Sequence, residues 1–214
     1  MQRRQTISVI TPVHPARIAN GQFAECLQGI HAQKLLPDAH CVAIDLDGDG
    51  AAVTRQRALE MARTDWVAPI DSDDIPLPGH LIKLLNFAQA NDFDFVYSWF
   101  RVMQDFGGGN RRVLDDDPIF PMSHYLNPWD PANPIETTIT TLVRTELAQS
   151  VGFKSLDRGE ANSGEDFAFT LGCQAAGGKI GHLVRKTWLY RHTIRPDGTL
   201  GNTGGLSTRG DAVA

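Results

Sequence analysis

Apolar residues along the first half of this chain follow two rhythms that take turns. Thr6 to Val13 (TISVITPV) is rich in β-branched residues and ends at Pro12 and Pro15, which predicts a buried strand. From Gln22 to Gln33 the apolar positions shift to Phe23, Cys26, Leu27 and Ile30, the spacing of an amphipathic helix, and Leu36-Pro-Asp38 ends it. Cys41 to Ile44 is a second strand, closing on Asp45-Leu-Asp-Gly-Asp-Gly50. Ala52 to Ala62 is a helix with Arg55 and Arg57 near its start. Trp66 to Ile70 is a third buried strand that stops abruptly at Asp71-Ser-Asp-Asp74, and two prolines and a glycine then turn the chain. Gly79 to Ala90 carries Leu81, Leu84, Leu85 and Ala88 on one helical face. Strands and helices alternating over short links require right-handed crossovers and a parallel sheet, so the fold class is α/β.

The second half is less regular. Phe93 to Phe100 reads as a fourth strand, and Gly107-Gly-Gly109 turns it back into Arg111 to Leu114 as a hairpin. Asp115-Asp-Asp117 and the proline-rich Pro118 to Pro134 form a long irregular segment, of a length that is usually functional or disordered. Its Tyr125 and Trp129 either stack on a ligand or pack as local core. Thr137 to Arg144 alternates as a strand does. Ser163-Gly-Glu-Asp166 opens a helix running to Ala176, and Lys179 to Leu183 and Thr187 to His192 are closing strands. From about Arg195 glycine, threonine and asparagine dominate, which predicts a loose tail over 195–214 behind a single domain spanning 1–194. Within that domain a regular half covers about 1–100 and a less regular half about 101–194.

Composition narrows the classes. At 214 residues the chain can bury one good core, and 42% hydrophobic with 21% charged residues is ordinary for a soluble globular protein. A net charge of −5 without any Lys/Arg run excludes a nucleic-acid footprint. Cys26, Cys41 and Cys173 sit in apolar settings without C-x-x-C spacing, as buried thiols of a reducing compartment do. The chain enters a strand at once and has no apolar run near the roughly 18 residues that span a bilayer. The expectation is a cytoplasmic protein with no signal peptide and no membrane span.

Ligands of an open parallel sheet bind beyond the carboxyl ends of its strands. Those ends supply Thr11-Pro12, then Asp45 and Asp47, then Asp71, Asp73 and Asp74. Three carboxylates within four residues repel unless a cation or many donors neutralise them, and oxygen-only ligands suit a hard divalent ion, Mg²⁺ or Mn²⁺. The competing reading is a solvated acidic turn. Asp45 to Gly50 matches the first half of an EF-hand loop, but Gln56 stands at the twelfth position, where a bidentate carboxylate is needed, and a strand precedes it. Gly48-Asp-Gly50 is no dinucleotide fingerprint, because Val53 occupies the third glycine position. His182 and His192 are not spaced for zinc.

Taken in order, these motifs resemble those of the family 2 glycosyltransferases. Ile7-Ser-Val-Ile-Thr-Pro-Val13 is similar to the family's opening strand, and Asp45-Leu-Asp47-Gly48 stands where the family has V-D-D-G-S. Arg55-Gln-Arg57-Ala-Leu59 resembles R-N-x-x-L, and Asp71-Ser-Asp73-Asp74 the D-x-D-D metal site. Val151-Gly-Phe153 resembles V-G-G-F, Gly164-Glu-Asp166-Phe167 resembles G-E-D-F, and Trp188-Leu-Tyr190-Arg-His192 the closing Y-R-x-H. The chain departs from the pattern at His14-Pro15, where the family has Y-N, at the residue inserted between Asp45 and Asp47, and at Gln56 in place of Asn. It also lacks the Q-x-x-R-W motif of processive polymerases.

The resemblance implies a GT-A (Rossmann-like) three-layer sandwich around a mostly parallel central sheet. It implies a metal-dependent, inverting transfer of sugar from a nucleotide diphosphate donor, UDP-linked in the first instance, to an acceptor that is glycan, lipid or protein. Thr11, Pro12, Val13, Asp45, Asp47, Arg55, Asp71 and Ser72 would bind the nucleotide. Asp73 would be the direct Mn²⁺ or Mg²⁺ ligand, helped by Asp71 and Asp74, with His192 on metal or phosphate. Asp166 would be the general base and Glu165 would hold acceptor or arginine. The residues themselves leave alternatives open. Asp166 can serve as a helix cap, Arg55 can lie on a solvated helix face, and His192 can be a plain strand-end histidine. Two other functions remain, a sugar-nucleotide-binding module without catalysis and a nucleotidyltransferase.

Overall fold

Side chains alternate across a strand, and here that alternation sorts two apolar cores onto opposite faces of one sheet. The computed structural model describes residues 3–115, 125–135, 137–154, 164–196 and 198. Its strands are β1 (Ile7–Val13), β2 (Ala39–Ile44), β3 (Trp66–Pro69), β4 (Ile75–Pro76), β5 (Phe95–Asp105), β6 (Arg111–Leu114), β7 (Thr141–Arg144) and β8 (Ile180–Thr193). Its helices are α1 (Pro15–Ala19), α2 (Gln22–His31), α3 (Ala51–Met61), α4 (His80–Asn91), α5 (Thr145–Val151) and α6 (Glu165–Ala175). The sheet runs β2-β1-β3-β7-β5-β8-β4, with β6 paired to β5 off that row. β1, β2, β3, β5 and β8 point one way and β4, β6 and β7 the other, so the sheet is mostly parallel.

Ile7 and Val9 of β1, Trp66 and Ala68 of β3, Val96 of β5 and Leu142 of β7 face α2 and α4, meeting Cys26, Ile30, Leu81, Leu84 and Leu85. The residues between them, Ile10, Val67, Phe95, Tyr97 and Val143, face α3, α5 and α6, meeting Ala58, Leu59, Ala148, Phe169 and Cys173. Helices on both faces make three layers, as expected of this α/β class.

Several elements differ from expectation. The two closing strands are one, β8, whose register against β5 shifts opposite Ser98 to Phe100. Val184 and Arg185 are exposed at that irregularity, and the charges of Arg185 and Lys186 interrupt the apolar pattern there. β5 runs on to Asp105, while Thr137–Arg144 is strand only from Thr141. α1, α5 and β4 are too short, at five, seven and two residues, for periodicity to mark them. Ser163 of the helix-opening motif, Asp116-Asp117 of the acidic triplet and most of the tail lie outside the described residues. No described helix is long and apolar enough to cross a membrane.

Two contacts hold the neighbourhood of the acidic turn. A Cβ on Gly29 of α2 would sit 2.9 Å from Pro76 Cδ and 3.0 Å from its carbonyl oxygen, so α2 approaches β4 this closely because no side chain intervenes. On the other side His80, fully buried at the start of α4, shares a 2.7 Å hydrogen bond with the Thr187 hydroxyl, which in turn meets Ser98 Oγ at 2.6 Å. Helix α4, β8 and β5 are thereby pinned together.

Burial pushes the His80 pKa down from 6.5 to about 3. The folded chain keeps this imidazole neutral while the unfolded chain takes up a proton below 6.5, so stability falls as pH drops from 6.5 toward 3. In His80→Gln that contribution is absent. Urea titrations between pH 7 and pH 4.5 should show the parent losing on the order of 2 kcal/mol more than the variant, at about 1.4 kcal/mol per unit. Parallel pH dependences would mean that His80 is hydrated in solution.

Candidate active site

β3 ends at Pro69, and Ile70 N still donates to Ile10 O at 3.0 Å before the chain leaves the sheet. Asp74 N then donates to Asp71 O at 3.1 Å, closing a tight turn around Ser72 and Asp73. Ser72, Asp73 and Asp74 are buried and Asp71 is half-buried.

Arg55, on the first turns of α3, gathers this turn and the start of α6. Its side chain is 2% exposed, so the solvated-face alternative does not hold. Nη2 donates to Asp71 Oδ1 at 2.8 Å, while Nη1 donates to Glu165 Oε1 at 2.9 Å and Asp166 Oδ1 at 3.3 Å. Burial works to lower the Arg55 pKa, but Asp71, Asp166 and Glu165 outweigh it and hold the group raised. Glu165 titrates above its ordinary range, because burial overcomes the help of Arg55. The guanidinium also lies 5.3 Å from the Phe153 ring centroid. Its neighbour Gln56 accepts from Phe153 N at 2.8 Å, so the residue that replaces the family's Asn anchors the Gly152-Phe153 segment.

The remaining carboxylates of the turn have other partners. Arg17 at the end of α1 pairs with Asp73 Oδ2 at 2.8 Å. Arg191 of β8 is fully buried; its backbone N donates to Asp74 Oδ1 at 3.2 Å and its Nε to Asp73 O at 2.9 Å. Its two Nη atoms pair with Asp105 and Glu25, and Arg111 pairs with the same two carboxylates. Two arginines thus balance two acids in a neutral quartet that grips the turn through Arg191. Burial, with Arg17 opposing and Asp71 reinforcing, pushes Asp73 up to about 6. Asp74 is held well above the carboxylate range by burial, then by Asp73 and Asp71.

Among the described residues, five carboxyl groups (Asp71, Asp73, Asp74, Glu165, Asp166) gather around Arg55 and Arg17, and burial together with this crowding lifts Asp73, Asp74 and Glu165 above the usual carboxylate range. Hard oxygen donors, two of them buried and short of positive charge, fit a divalent cation on Asp73 with Asp71 and Asp74. No three such side chains already converge in a ligand arrangement among the described residues, so the fit rests on donor chemistry and charge.

The other expected site residues are more scattered. Thr11, Pro12 and Val13 are buried along β1, and the Thr11 hydroxyl meets His40 Nε2 at 2.9 Å. Asp45 is buried and accepts from Asp49 N at 2.8 Å and Gly50 N at 3.1 Å, capping its own loop, whereas Asp47 is exposed. His192 is buried beside Arg191, its ring 5.0 Å from that of Tyr190. Trp129 packs edge-on to Tyr97 at 6.2 Å and donates to Gln174, and Tyr125 packs 6.4 Å from Trp99, so both serve as local core. Arg17 and Arg191 were not singled out from the sequence. Arg191 carried a signal, a charge on the same strand face as Thr187 and Leu189.

The family model for glycosyl transferase family 2 matches residues 8–152. A curated relative, the uncharacterized glycosyltransferase MJ1057 of Methanocaldococcus jannaschii, is 37% identical over 51 residues, covering 23% of this chain and 18% of that protein. Among solved structures, S. aureus TarS 1–349 in complex with UDP-GlcNAc superposes with a TM-score of 0.68 at 17% identity, over 87% of this chain and 58% of that one. The same protein in complex with UDP gives 0.63 at 19% identity, over 90% and 62%. The chain spans less than two thirds of the length of each of these relatives. Sheet order, helix layers and the matched motifs agree: this chain belongs to glycosyl transferase family 2 and adopts the GT-A fold.

Proposed function

We propose that this domain transfers a sugar from a UDP-linked donor to an acceptor hydroxyl in a single displacement that inverts the anomeric carbon. The observation that carries this reading is the meeting of Asp71, Glu165 and Asp166 on the one guanidinium of Arg55. A donor-side carboxylate and a candidate base from opposite halves of the chain are thereby brought to one locus. Family membership supports sugar transfer, and the solved TarS complexes, with UDP-GlcNAc and with UDP, favour a uridine nucleotide.

Of the two acids opening α6, Asp166 suits the base. Its side chain is 34% exposed and open to an acceptor, whereas Glu165, at 8%, is turned inward on Arg55. Asp166 takes the proton from the acceptor hydroxyl, the acceptor oxygen bonds to the anomeric carbon, and the bond from that carbon to the diphosphate oxygen breaks. Asp73, with Asp71 and Asp74, would hold Mn²⁺ or Mg²⁺. When bound, such an ion offsets the charge growing on the leaving diphosphate. Arg55 touches no reacting atom in this scheme; it positions Asp166 and keeps Glu165 from lying buried and unpaired.

Isotope-labelled UDP-sugars with Mn²⁺ test the scheme without knowledge of the acceptor, because water can replace it. Slow release of free sugar is expected. Asp166→Asn should lower that release by about 10²- to 10⁴-fold, the usual share of a general base, while changing donor affinity little. Asp73→Asn should instead abolish Mn²⁺-dependent donor binding. Binding without release would leave a sugar-nucleotide-binding module, and release of pyrophosphate would mark a nucleotidyltransferase.

A second expectation concerns Arg55→Met. Breaking a buried ion pair by removing one partner costs about 3–5 kcal/mol, and the partial exposure of Asp71 and Asp166 sets the lower end for this cluster. Urea unfolding at pH 7 should show a loss near 3 kcal/mol that shrinks toward pH 4.5, because Glu165, already raised by burial, can then take up a proton. A loss below about 1 kcal/mol would mean that the four side chains are not coupled in solution.

A further inference from the structure

Arg17 is the cation paired with Asp73, the carboxylate most suited to a divalent ion, and nothing above gives it a task. It follows β1 on α1, at the sheet edge where ligands of such folds bind. Nη2 pairs with Asp73 Oδ2 while Nη1 donates to Gln22 Oε1, so the fork spans the turn and the start of α2. The Arg17 side chain is 19% exposed, unlike the fully buried Arg191, and can move without opening the core. Nor is its charge already committed to a balanced set. Arg191 and Arg111 are matched by Glu25 and Asp105, whereas Arg17 faces a turn in which Asp71, Asp73 and Asp74 crowd one another.

We propose that Arg17 is a placeholder on Asp73 that hands this carboxylate to the divalent ion and then binds the donor diphosphate. The inference rests on the reading of Asp73 as the ion's ligand. A guanidinium and a divalent ion contend for the same carboxylate oxygen, so each weakens the other's hold on it. Asp73 would hold the ion, which would offset charge on the donor's phosphates, and the displaced Arg17 guanidinium would stay beside the same turn. The planar fork of arginine matches two phosphate oxygens at once. Without a cation of this kind, a diphosphate would approach a cluster already rich in negative charge. The exchange couples the two ligands: Arg17 opposes the ion alone and favours ion and donor together.

The two halves predict opposite signs for one substitution. In Arg17→Ala, Mn²⁺ binding followed by electron paramagnetic resonance without nucleotide should tighten on the order of tenfold. UDP binding at saturating Mn²⁺, followed by calorimetry, should weaken on the order of tenfold. Arg17→Lys, which keeps the charge but not the fork, should fall between on the first measurement and resemble alanine on the second. Arg57→Ala removes the same charge from an exposed position of α3 and controls for long-range electrostatics; it should move neither constant more than about twofold. Circular dichroism and unfolding midpoints establish that each variant is folded. Weaker or unchanged Mn²⁺ binding in Arg17→Ala would show that the arginine supports the ion or ignores it, and the proposal falls. Tighter Mn²⁺ binding with unchanged UDP affinity would leave a competitor without a second task, and the proposal falls as well. If Asp73→Asn binds Mn²⁺ as the parent does, the ligand reading of Asp73 fails and takes this inference with it. Loss of Mn²⁺ in Asp73→Asn beside a failed Arg17 test would overturn only the placeholder.

Discussion

A guanidinium buried in protein has to be surrounded by acceptors, because the cost of stripping its water exceeds what any single pair returns. Arg55 meets that demand with three carboxylates from two distant places, the turn after β3 and the first turn of α6. The constraint also runs the other way. Glu165 is itself buried, and without Arg55 it would have to protonate or draw in water. Once both are fixed, the relative position of α3, the acidic turn and α6 is fixed with them. The Phe153 ring packed beside Arg55 and the backbone bond from Phe153 to Gln56 extend the same locus to the end of α5.

Much of this could be read from the linear chain, but unevenly. Apart from the short α1 and β4, the strand–helix alternation up to Asn91 was legible because its elements are long enough to show their period. β8 was not, because Arg185 and Lys186 interrupt the apolar pattern while the backbone carries on as strand. For the site, Asp71, Asp73 and Asp74 stood out as acids crowded where a fold of this class binds ligands, and Asp166 only through its G-E-D-F resemblance. Whether Arg55 lay on the surface or inside depended on partners 16, 110 and 111 residues away, which no local pattern reports. Arg191 was harder still. Its position on β8 gives a facing direction, but its partners Glu25 and Asp105 are 166 and 86 residues distant.

The expectation that crowded carboxylates need a cation takes a different shape once the partners are known. Part of the charge in the acidic turn is met by the chain's own arginines and by the Arg191 amide, and part is left over. A cluster that was fully neutral would have little affinity for an added ion, and one with no internal partners would hold its turn poorly. Partial compensation keeps the turn in place and leaves a demand for positive charge. Asp45, by contrast, accepts from the amides of its own loop through both oxygens, and so shapes that loop's backbone.

The quartet of Arg191, Arg111, Glu25 and Asp105 constrains how this protein can drift. Each member neutralises part of another, so replacing any one leaves an odd charge around the fully buried Arg191. Change there is tolerated in opposite-signed pairs. The partners of such a pair belong to α2, β5, β6 and β8, so substitutions in widely separated stretches of the gene would have to occur together. The strut behind the acidic turn should therefore vary more slowly than the turn's exposed flank.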